Sequence, residues 1–336
     1  MAGVSFQDFQ TYLDALGVDL EGEKALAVAV SGGPDSMALA FCLRRWAEGL
    51  NQAPVLHFLT VDHGLRSESA EEAENVQAVC GTLLGDLGRH HILRWEGEKP
   101  QASLQEAARR ARYDLMAGYC AVQGIRCLFL AHHMDDQAET LLFRLAKGSG
   151  LDGLSGMRPV QAYGDDLMSL RPFLRVGKDE LVQTCVGNGV DYVRDPSNEN
   201  ERFARVRLRR SREVLEEEGL SAKRLAVTAR RLERARDALD VLSRSVFENN
   251  TIELKTNRIV FNFNGLIGQP EEIVLRCLLM GFAHLRPDAD YMPRFEKIEA
   301  MLGDLLRCEG FRKRTLGGVI FELDSKAGHL ILRHEK

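Results

Sequence analysis

Ala25-Leu26-Ala27-Val28-Ala29-Val30, followed at once by Ser31-Gly32-Gly33-Pro34-Asp35-Ser36, sets the reading of the whole chain. A brief, wholly apolar run that breaks at glycines is how a strand buried on both faces of a parallel sheet is written. Helical apolar spacing then runs from Ser36 to Ala47. The pattern predicts a strand, a glycine turn and a helix. Two glycines let backbone approach an anion closely, and the turn with the helix N-terminus aims N–H groups and partial positive charge at it. Ser31 and Ser36 can donate hydroxyl bonds to phosphate oxygens, and Asp35 can hold Mg²⁺ directly or through water. Pro34 loses only an N–H that had no helical partner. Neither G-x-x-x-x-G-K-[ST] nor G-x-G-x-x-G occurs here, which argues against the common P-loop and against dinucleotide binding. A plain strand–helix turn uses the same residue types, so the hexapeptide alone leaves both readings open.

Outward from this point, Phe6–Leu16 reads as a short amphipathic helix and Val55–Val61 as a second strand. Glu68–Leu84 follows as a helix, with a third strand near His91–Trp95. Ser103 with Glu106 fits a capping box opening the helix Leu104–Val122. Cys127–Ala131 reads as a fourth strand and Asp135–Lys147 as the next helix. Strands alternating with such helices predict a Rossmann-like α/β domain, a mainly parallel sheet flanked by helices. After Gly148 the sequence turns glycine-rich through Gly156, and a shorter βα segment carries Arg171 to Asn188. A charged helical stretch runs from Phe203 to Asn249. Ile252–Asn264 and Gly310–Leu323 read as strands around the helices Glu271–Phe282 and Arg294–Leu306. The expected organisation is a catalytic domain over 1–202, a basic helical linker over 203–250 and a small α+β domain over 251–336.

The second strand ends in Asp62-His63-Gly64-Leu65-Arg66, and the fourth in Ala131-His132-His133-Met134-Asp135-Asp136-Gln137-Ala138-Glu139-Thr140. Ligand groups in open α/β sheets gather beyond the carboxyl ends of strands, so both segments lie at the right edge. Asp136, Glu139 and Thr140 are three and four apart, hence on one helix face. H-H-x-D-D lacks tetrahedral zinc spacing, and a hard-cation role for Asp136 with Asp35 is the more economical reading. Acids at a helix N-terminus are also favoured by the helix dipole on its own.

S-G-G-x-D-S after the first strand resembles the signature of the PP-loop ATP pyrophosphatases. The block A-H-H-x-D-D-Q-x-E-T with its tail Gly148-Ser149-Gly150-Leu151-Asp152-Gly153-Leu154-Ser155-Gly156-Met157 resembles the tRNA(Ile)-lysidine synthetases. Asp62–Arg66, Ala108-Arg109, Arg112-Tyr113, Arg171-Pro172-Phe173-Leu174 and Asp195-Pro196-Ser197-Asn198 fit the same family, so the likeness covers roughly residues 24 to 210. A weaker echo falls at Gly317-Gly318. The resemblance implies an ATP-dependent, AMP-forming carbon–nitrogen ligase that joins free L-lysine to the wobble cytidine of tRNA(Ile) with a CAU anticodon. It implies that Ser31, Gly32, Gly33, Pro34, Asp35 and Ser36, with Asp62 and His63, bind ATP, and that Asp35 and Asp136 manage Mg²⁺. His133 would orient phosphate or base, Arg109 and Arg112 would contact phosphate or the activated nucleotide, and Arg205 would stabilise charge near the cytidine. A sulfur-inserting tRNA cytidine enzyme of the same loop class would want paired cysteines, and no C-x-x-C occurs. A non-catalytic tRNA-binding protein has no need of an intact Asp35, Asp136 and both loop glycines.

The composition accommodates this reading. A chain of 336 residues with 45% hydrophobic and 28% charged content suits two soluble domains. No apolar run approaches the roughly 20 residues of a membrane span, and Met1–Leu20 has no basic n-region, so a cytoplasmic monomer or homodimer without membrane attachment is expected. The seven scattered cysteines read as free, buried thiols. A net charge of −5 excludes indiscriminate coating of nucleic acid but not a local basic patch. Arg202, Arg205, Arg209 and Arg212 would form one stripe on a helix, able either to track phosphates or to pair with the glutamates that follow. The family's R-N-R-I-R appears as Arg205-Val206-Arg207-Leu208-Arg209, which puts the role of that asparagine amide in doubt. The chain ends soon after one C-terminal module, where longer family members carry two, and that module is expected to help dock tRNA.

Overall fold

The computed structural model describes residues 2–65, 68–100, 104–164, 166–193, 211–287, 293, 295–307, 311 and 313–335. Two compact units result, Met1–Leu232 and Glu233–Lys336. Among the described residues no helix is long and apolar enough to cross a membrane. Ser103, Arg66, the segment 194–210 with Arg205 and its basic neighbours, Arg294, Cys308 and Gly310 lie outside the described residues.

The first unit is built on a six-stranded sheet of β1 (Ala25–Ala29), β2 (Val55–Asp62), β3 (Gly88–Arg94), β4 (Cys127–Phe129), β5 (Val160–Tyr163) and β6 (Leu167–Leu170). Their order is β3-β2-β1-β4-β6-β5. All neighbours are parallel except β5, which runs antiparallel to β6. Packed with the sheet are α1 (Phe6–Asp14), α2 (Pro34–Glu48), α3 (Ser69–Leu84), α4 (Leu104–Gln123), α5 (Met134–Leu145), the single turn α6 (Leu151–Leu154) and α7 (Lys178–Gly187).

The apolar run of β1 is buried as its sequence requires: Leu26, Ala27 and Val28 have no exposed surface. Leu26 and Val28 join the core that includes Phe9, Leu39, Phe58 and Phe173, while Ala27 joins Met116, Cys120 and Leu128 on the other face. Each large side chain buried this way contributes about 1.5–3 kcal/mol. Phe173 is one such anchor, with its ring edge-on to Phe9 at 5.7 Å and to Tyr12 at 6.5 Å. The chain builds outward from β1 through β2 and β3, then returns to the opposite side with β4. The carboxyl ends of β1 and β4 therefore flank a topological switch point, the position where open α/β sheets bind ligands.

Two features were not legible in the sequence. The β5–β6 hairpin is a pair of short strands with β5 at the sheet edge, and β6 ends one residue before Arg171, so the expected βα segment begins earlier than its motif. In the second unit the two predicted strand regions are each a hairpin. Thr251–Lys255 pairs with Arg258–Asn262 (β7, β8), and Lys313–Leu316 with Val319–Asp324 (β9, β10). A further strand, β11 (His329–His334), joins them in the order β7-β8-β11-β10-β9. Helices α10 (Phe263–Ile267), α11 (Glu271–Leu285) and α12 (Phe295–Arg307) complete this antiparallel α+β unit, whose core includes Phe261, Phe282 and Phe321.

Between the sheets come α8 (Arg212–Glu217) and the long α9 (Ala222–Asn250). The stretch anticipated as a linker is divided between the units inside α9. Leu225 and Ala229 pack on Ala138 and Leu141 of α5, whereas Val246 and Phe247 belong to the second core.

Candidate active site

The glycine turn between β1 and α2 is tied to itself. Ser36 Oγ accepts the Ser31 N–H at 3.1 Å and donates to the Gly33 carbonyl at 3.0 Å. Gly32 has a φ of +79°, which side-chain-bearing residues rarely adopt. A Cβ there would also collide with Val76 of α3. The Gly32 carbonyl accepts the Val193 N–H at 2.8 Å, and the Pro34 carbonyl accepts the Cys185 thiol at 3.3 Å, so the loop is braced from behind by the α7 region. Pro34 opens α2 with Asp35 in its first turn. The loop has the shape and the N–H supply of an anion cradle.

The loop after β4 brings carboxylates to this turn. His133 Nε2 lies 3.5 Å from Asp35 Oδ2 and 3.5 Å from Asp136 Oδ2, and Nδ1 lies 3.6 Å from Asp135 Oδ2. Both Asp35 and Asp136 thus converge on one imidazole nitrogen from two different sheet-edge segments. Asp136 also accepts the His133 backbone N–H at 3.0 Å, and Asp135 accepts the Lys178 N–H at 3.1 Å, capping α7. His133 is 3% exposed. Burial acts to lower its pKa, but bonding to Asp135 and Asp35 and the charges of Asp136 and Asp35 outweigh that and raise it to about 10. Because its pKa is raised, the stability this cluster supplies is complete below the ordinary histidine value and fades as pH rises towards about 10.

The donor set suits a hard cation. Asp35 Oδ1 is buried with no hydrogen-bond partner, an anionic oxygen that a cation would satisfy. Among the described residues no three His, Cys, Asp or Glu side chains form a metal cage by themselves. One or two carboxylates completed by phosphate oxygens and water is how Mg²⁺ is held in nucleotide sites.

Beside the turn opens a cleft of about 500 Å³ lined by Ser31, Asp35, Thr60, Asp62, His63 and Arg112 among others, with Leu59, Met116 and Leu130 as apolar walls. Few convergent polar groups on apolar walls is the make-up of a small-molecule pocket. Asp62 accepts the Gly64 N–H at 2.9 Å. Burial works to raise its pKa, but bonds from Ser69 and Gly64 prevail and hold it below the usual carboxylate value. His63 is pushed below its ordinary value by burial and then by the Arg112 charge, so it is neutral at pH 7. A second cavity of about 190 Å³ lies on the other side of His133, lined by Asp135, Glu139, Lys178, Leu142, Leu215 and Leu225. Two of the three residues expected on one face of α5 are thus used apart: Asp136 faces His133 Nε2, as Asp35 of the glycine turn does, while Glu139 joins Asp135 in the smaller cavity; the third, Thr140, is buried. Leu215 and Leu225 could not be placed there from sequence, because α8 and α9 are distant in the chain.

Of the arginines, Arg112 lines the cleft, whereas Arg109 is exposed. Arg109 and Arg112 both sit over the Tyr113 ring, at 5.2 and 5.6 Å. Arg205 lies outside the described residues. The glycine tail after α5 is clasped back onto that helix. Gln137 donates to the Met157 carbonyl at 2.9 Å and accepts the Met157 N–H at 2.7 Å, and Arg144 donates to the Gly153 carbonyl at 2.7 Å. Gly156, with a φ of +76°, leaves room for the Gln137 amide. Gln137→Ala strands two backbone groups at once and is expected to cost about 2–4 kcal/mol of stability, measured by urea unfolding. A cost below 0.5 kcal/mol, about the size of an ordinary surface substitution, would show the clasp to be inert.

A braced S-G-G-x-D-S turn at the switch point of a parallel sheet, faced by carboxylates from the β4 loop, defines an ATP-handling PP-loop domain. The family model described as the PP-loop domain matches residues 6–217. A tRNA(Ile)-lysidine synthase from Methylobacterium sp. (strain 4-46) is 43% identical over 316 residues, covering 92% of this chain and 89% of that protein. One from Rhodopseudomonas palustris is 37% identical over 316 residues, covering 91% and 89%. The chain belongs to the tRNA(Ile)-lysidine synthase family. Among solved structures, the U34-tRNA thiolase NcsA from Methanococcus maripaludis, with its [4Fe-4S] cluster, aligns with a TM-score of 0.55 at 15% identity, over 68% of this chain and 76% of that one. That likeness is one of fold.

Proposed function

We propose that this chain is an AMP-forming tRNA(Ile)-lysidine synthase that acts in the cytoplasm on tRNA(Ile) with a CAU anticodon. The observation that carries the reading is the convergence of Asp35 and Asp136 on His133 at the rim of the glycine turn, beside a nucleotide-sized cleft. In the first step the C2 oxygen of the wobble cytidine attacks the α-phosphorus of ATP, the bond to the bridging oxygen breaks and pyrophosphate leaves. The turn's N–H groups and the Ser31 and Ser36 hydroxyls bind the polyphosphate, and His133 positions the two carboxylates beside it. Mg²⁺ held by Asp35 and Asp136 would neutralise charge on the leaving group. In the second step the ε-nitrogen of lysine attacks C2, the C2–O bond to AMP breaks, and the amine gives up a proton to solvent or a neighbouring base. Asp135 and Glu139, lining the smaller cavity, place carboxylates where the α-ammonium of free lysine can be held.

The sulfur-inserting alternative is not favoured. The described cysteines Cys42, Cys80, Cys120, Cys127, Cys185 and Cys277 are all buried and free. Burial pushes their thiols up to about 11 for Cys127 and about 12 for the other five, leaving them protonated and unreactive. The deciding experiment incubates the full chain with ATP, Mg²⁺, labelled lysine and a CAU-anticodon tRNA(Ile) transcript. Pyrophosphate is expected only when tRNA is present, and AMP, with label retained on the tRNA, only when lysine is present as well. A requirement for cysteine or sulfide in place of lysine would refute the proposal.

The run of arginines in the sequence from Arg202 to Arg212 supplies an independent check on the RNA substrate. Arg205→Glu with Arg209→Glu is expected to weaken tRNA binding at least tenfold and to lower the log–log salt slope by about two, read by filter binding. Unchanged affinity would return those side chains to a solvated face.

A further inference from the structure

Arg171 follows β6 on the carboxyl rim of the sheet, one strand beyond β4, and only 4% of it is exposed. Nη1 donates to the Arg158 carbonyl at 3.0 Å, and Nε is buried with no hydrogen-bond partner. Among the described residues no carboxylate forms an ion pair with it. Its charged neighbour is another cation, Arg109, and the remaining polar neighbour is Tyr113. Burial pushes the Arg171 pKa down, Tyr113 pulls it up and the Arg109 charge pushes it down again. Guanidinium stays protonated even so.

A buried cation without a counter-charge is strongly unfavourable, and folds retain one where an anion comes and goes during function. Tyr113, 9% exposed, neighbours both arginines: it interacts with Arg171, and Arg109 Nη2 reaches its hydroxyl at 3.5 Å with the guanidinium 5.2 Å from its ring centroid. Arg109 is itself exposed to solvent. A buried charge behind an exposed one is poorly screened, so it deepens the positive potential that an incoming anion meets.

We propose that Arg109, Tyr113 and Arg171 form a phosphate-binding subsite beside the nucleotide cleft, with Arg109 making the contact and Arg171 serving as its buried positioning charge. The subsite rests on the functional reading above, which supplies two phosphate-bearing substrates. Arg112 lines the nucleotide cleft but Arg109 and Arg171 do not. The expected ligand is therefore a backbone phosphate of the RNA near its target base, in preference to the triphosphate of ATP.

Arg171→Met tests this, because methionine fills similar space without charge or donors. Dissociation constants for the CAU-anticodon tRNA(Ile) transcript and, separately, for Mg²⁺-ATP are measured across a salt series beside the melting temperature of the full chain. The expected result is at least a tenfold weaker hold on tRNA with a shallower salt slope, unchanged ATP affinity, and a melting temperature equal to or above that of the parent. Loss confined to ATP would keep the subsite and assign its phosphate to the nucleotide. Both affinities unchanged would overturn the proposal. Arg171→Lys, which restores the charge, is expected to recover most of the binding. A lysine variant as stable as the parent that binds no better than the methionine variant also overturns it. Wild-type lysine incorporation is scored separately, so failure of this subsite leaves the ligase reading intact.

Discussion

Asp136→Asn is expected to lower the rate of lysine incorporation by about 10²- to 10³-fold or more while leaving the tRNA dissociation constant within about twofold. The substitution separates two roles of one side chain. The Asp136 carboxylate accepts the His133 backbone N–H at 3.0 Å, and an asparagine amide oxygen can do the same, so the start of α5 should persist. What asparagine lacks is the anion that faces His133 Nε2 and, across it, Asp35. On the proposed reading, a divalent cation held there would lose one of its two carboxylates. The measurement is single-turnover AMP formation with saturating tRNA, alongside the melting temperature. Wild-type turnover in a well-folded variant would remove Asp136 from the chemistry.

Gly32→Ala should be the most damaging change of a single methyl group in the phosphate loop. The backbone at Gly32 has a φ of +79°, so any L side chain is strained there. The new methyl also runs into Val76, a side chain only 4% exposed and packed within the core, which cannot step aside cheaply. The loop has to move, and with it the N–H groups proposed to hold phosphate and the carbonyl that accepts from Val193. We expect ATP affinity to fall about 100-fold and stability by about 1–3 kcal/mol. Gly33→Ala provides the contrast. Gly33 has an ordinary φ of −69°, and a Cβ there meets the Ser31 hydroxyl at a comfortable 3.7 Å, so the fold should tolerate it. Adding Val76→Ala to Gly32→Ala should recover part of the stability but not the backbone strain. Calorimetric titration with ATP reads both variants, and equal losses at Gly32 and Gly33 would contradict this account.

These two sites show how legibility was distributed along the chain. The run Ala25–Val30 and the turn after it were readable because a strand buried on both faces leaves no polar alternation and a phosphate turn needs glycine at set positions. The same local logic found the β4 loop, since H-H-x-D-D-Q-x-E-T is one contiguous segment. The β5–β6 hairpin escaped because four-residue strands carry too little pattern to separate from loop. β11 escaped because pairing partners are set by distance in space, and its neighbours β8 and β10 lie on either side of a long helical insertion.

Residue types and local spacing determined on their own that this chain carries a mainly parallel sheet with a glycine turn and a carboxylate-bearing helix at its rim, and the resemblance of those motifs supplied the PP-loop reading. Those features depend on side-chain periodicity and backbone conformation, which act within a few residues. Tertiary structure decided that Asp135 and Glu139 line the smaller cavity while Asp136 meets Asp35 at His133, and that Arg171 lies buried near Arg109 and Tyr113 with no described carboxylate to balance it. Such facts arise from packing and desolvation among segments far apart in the chain, and no local pattern encodes them.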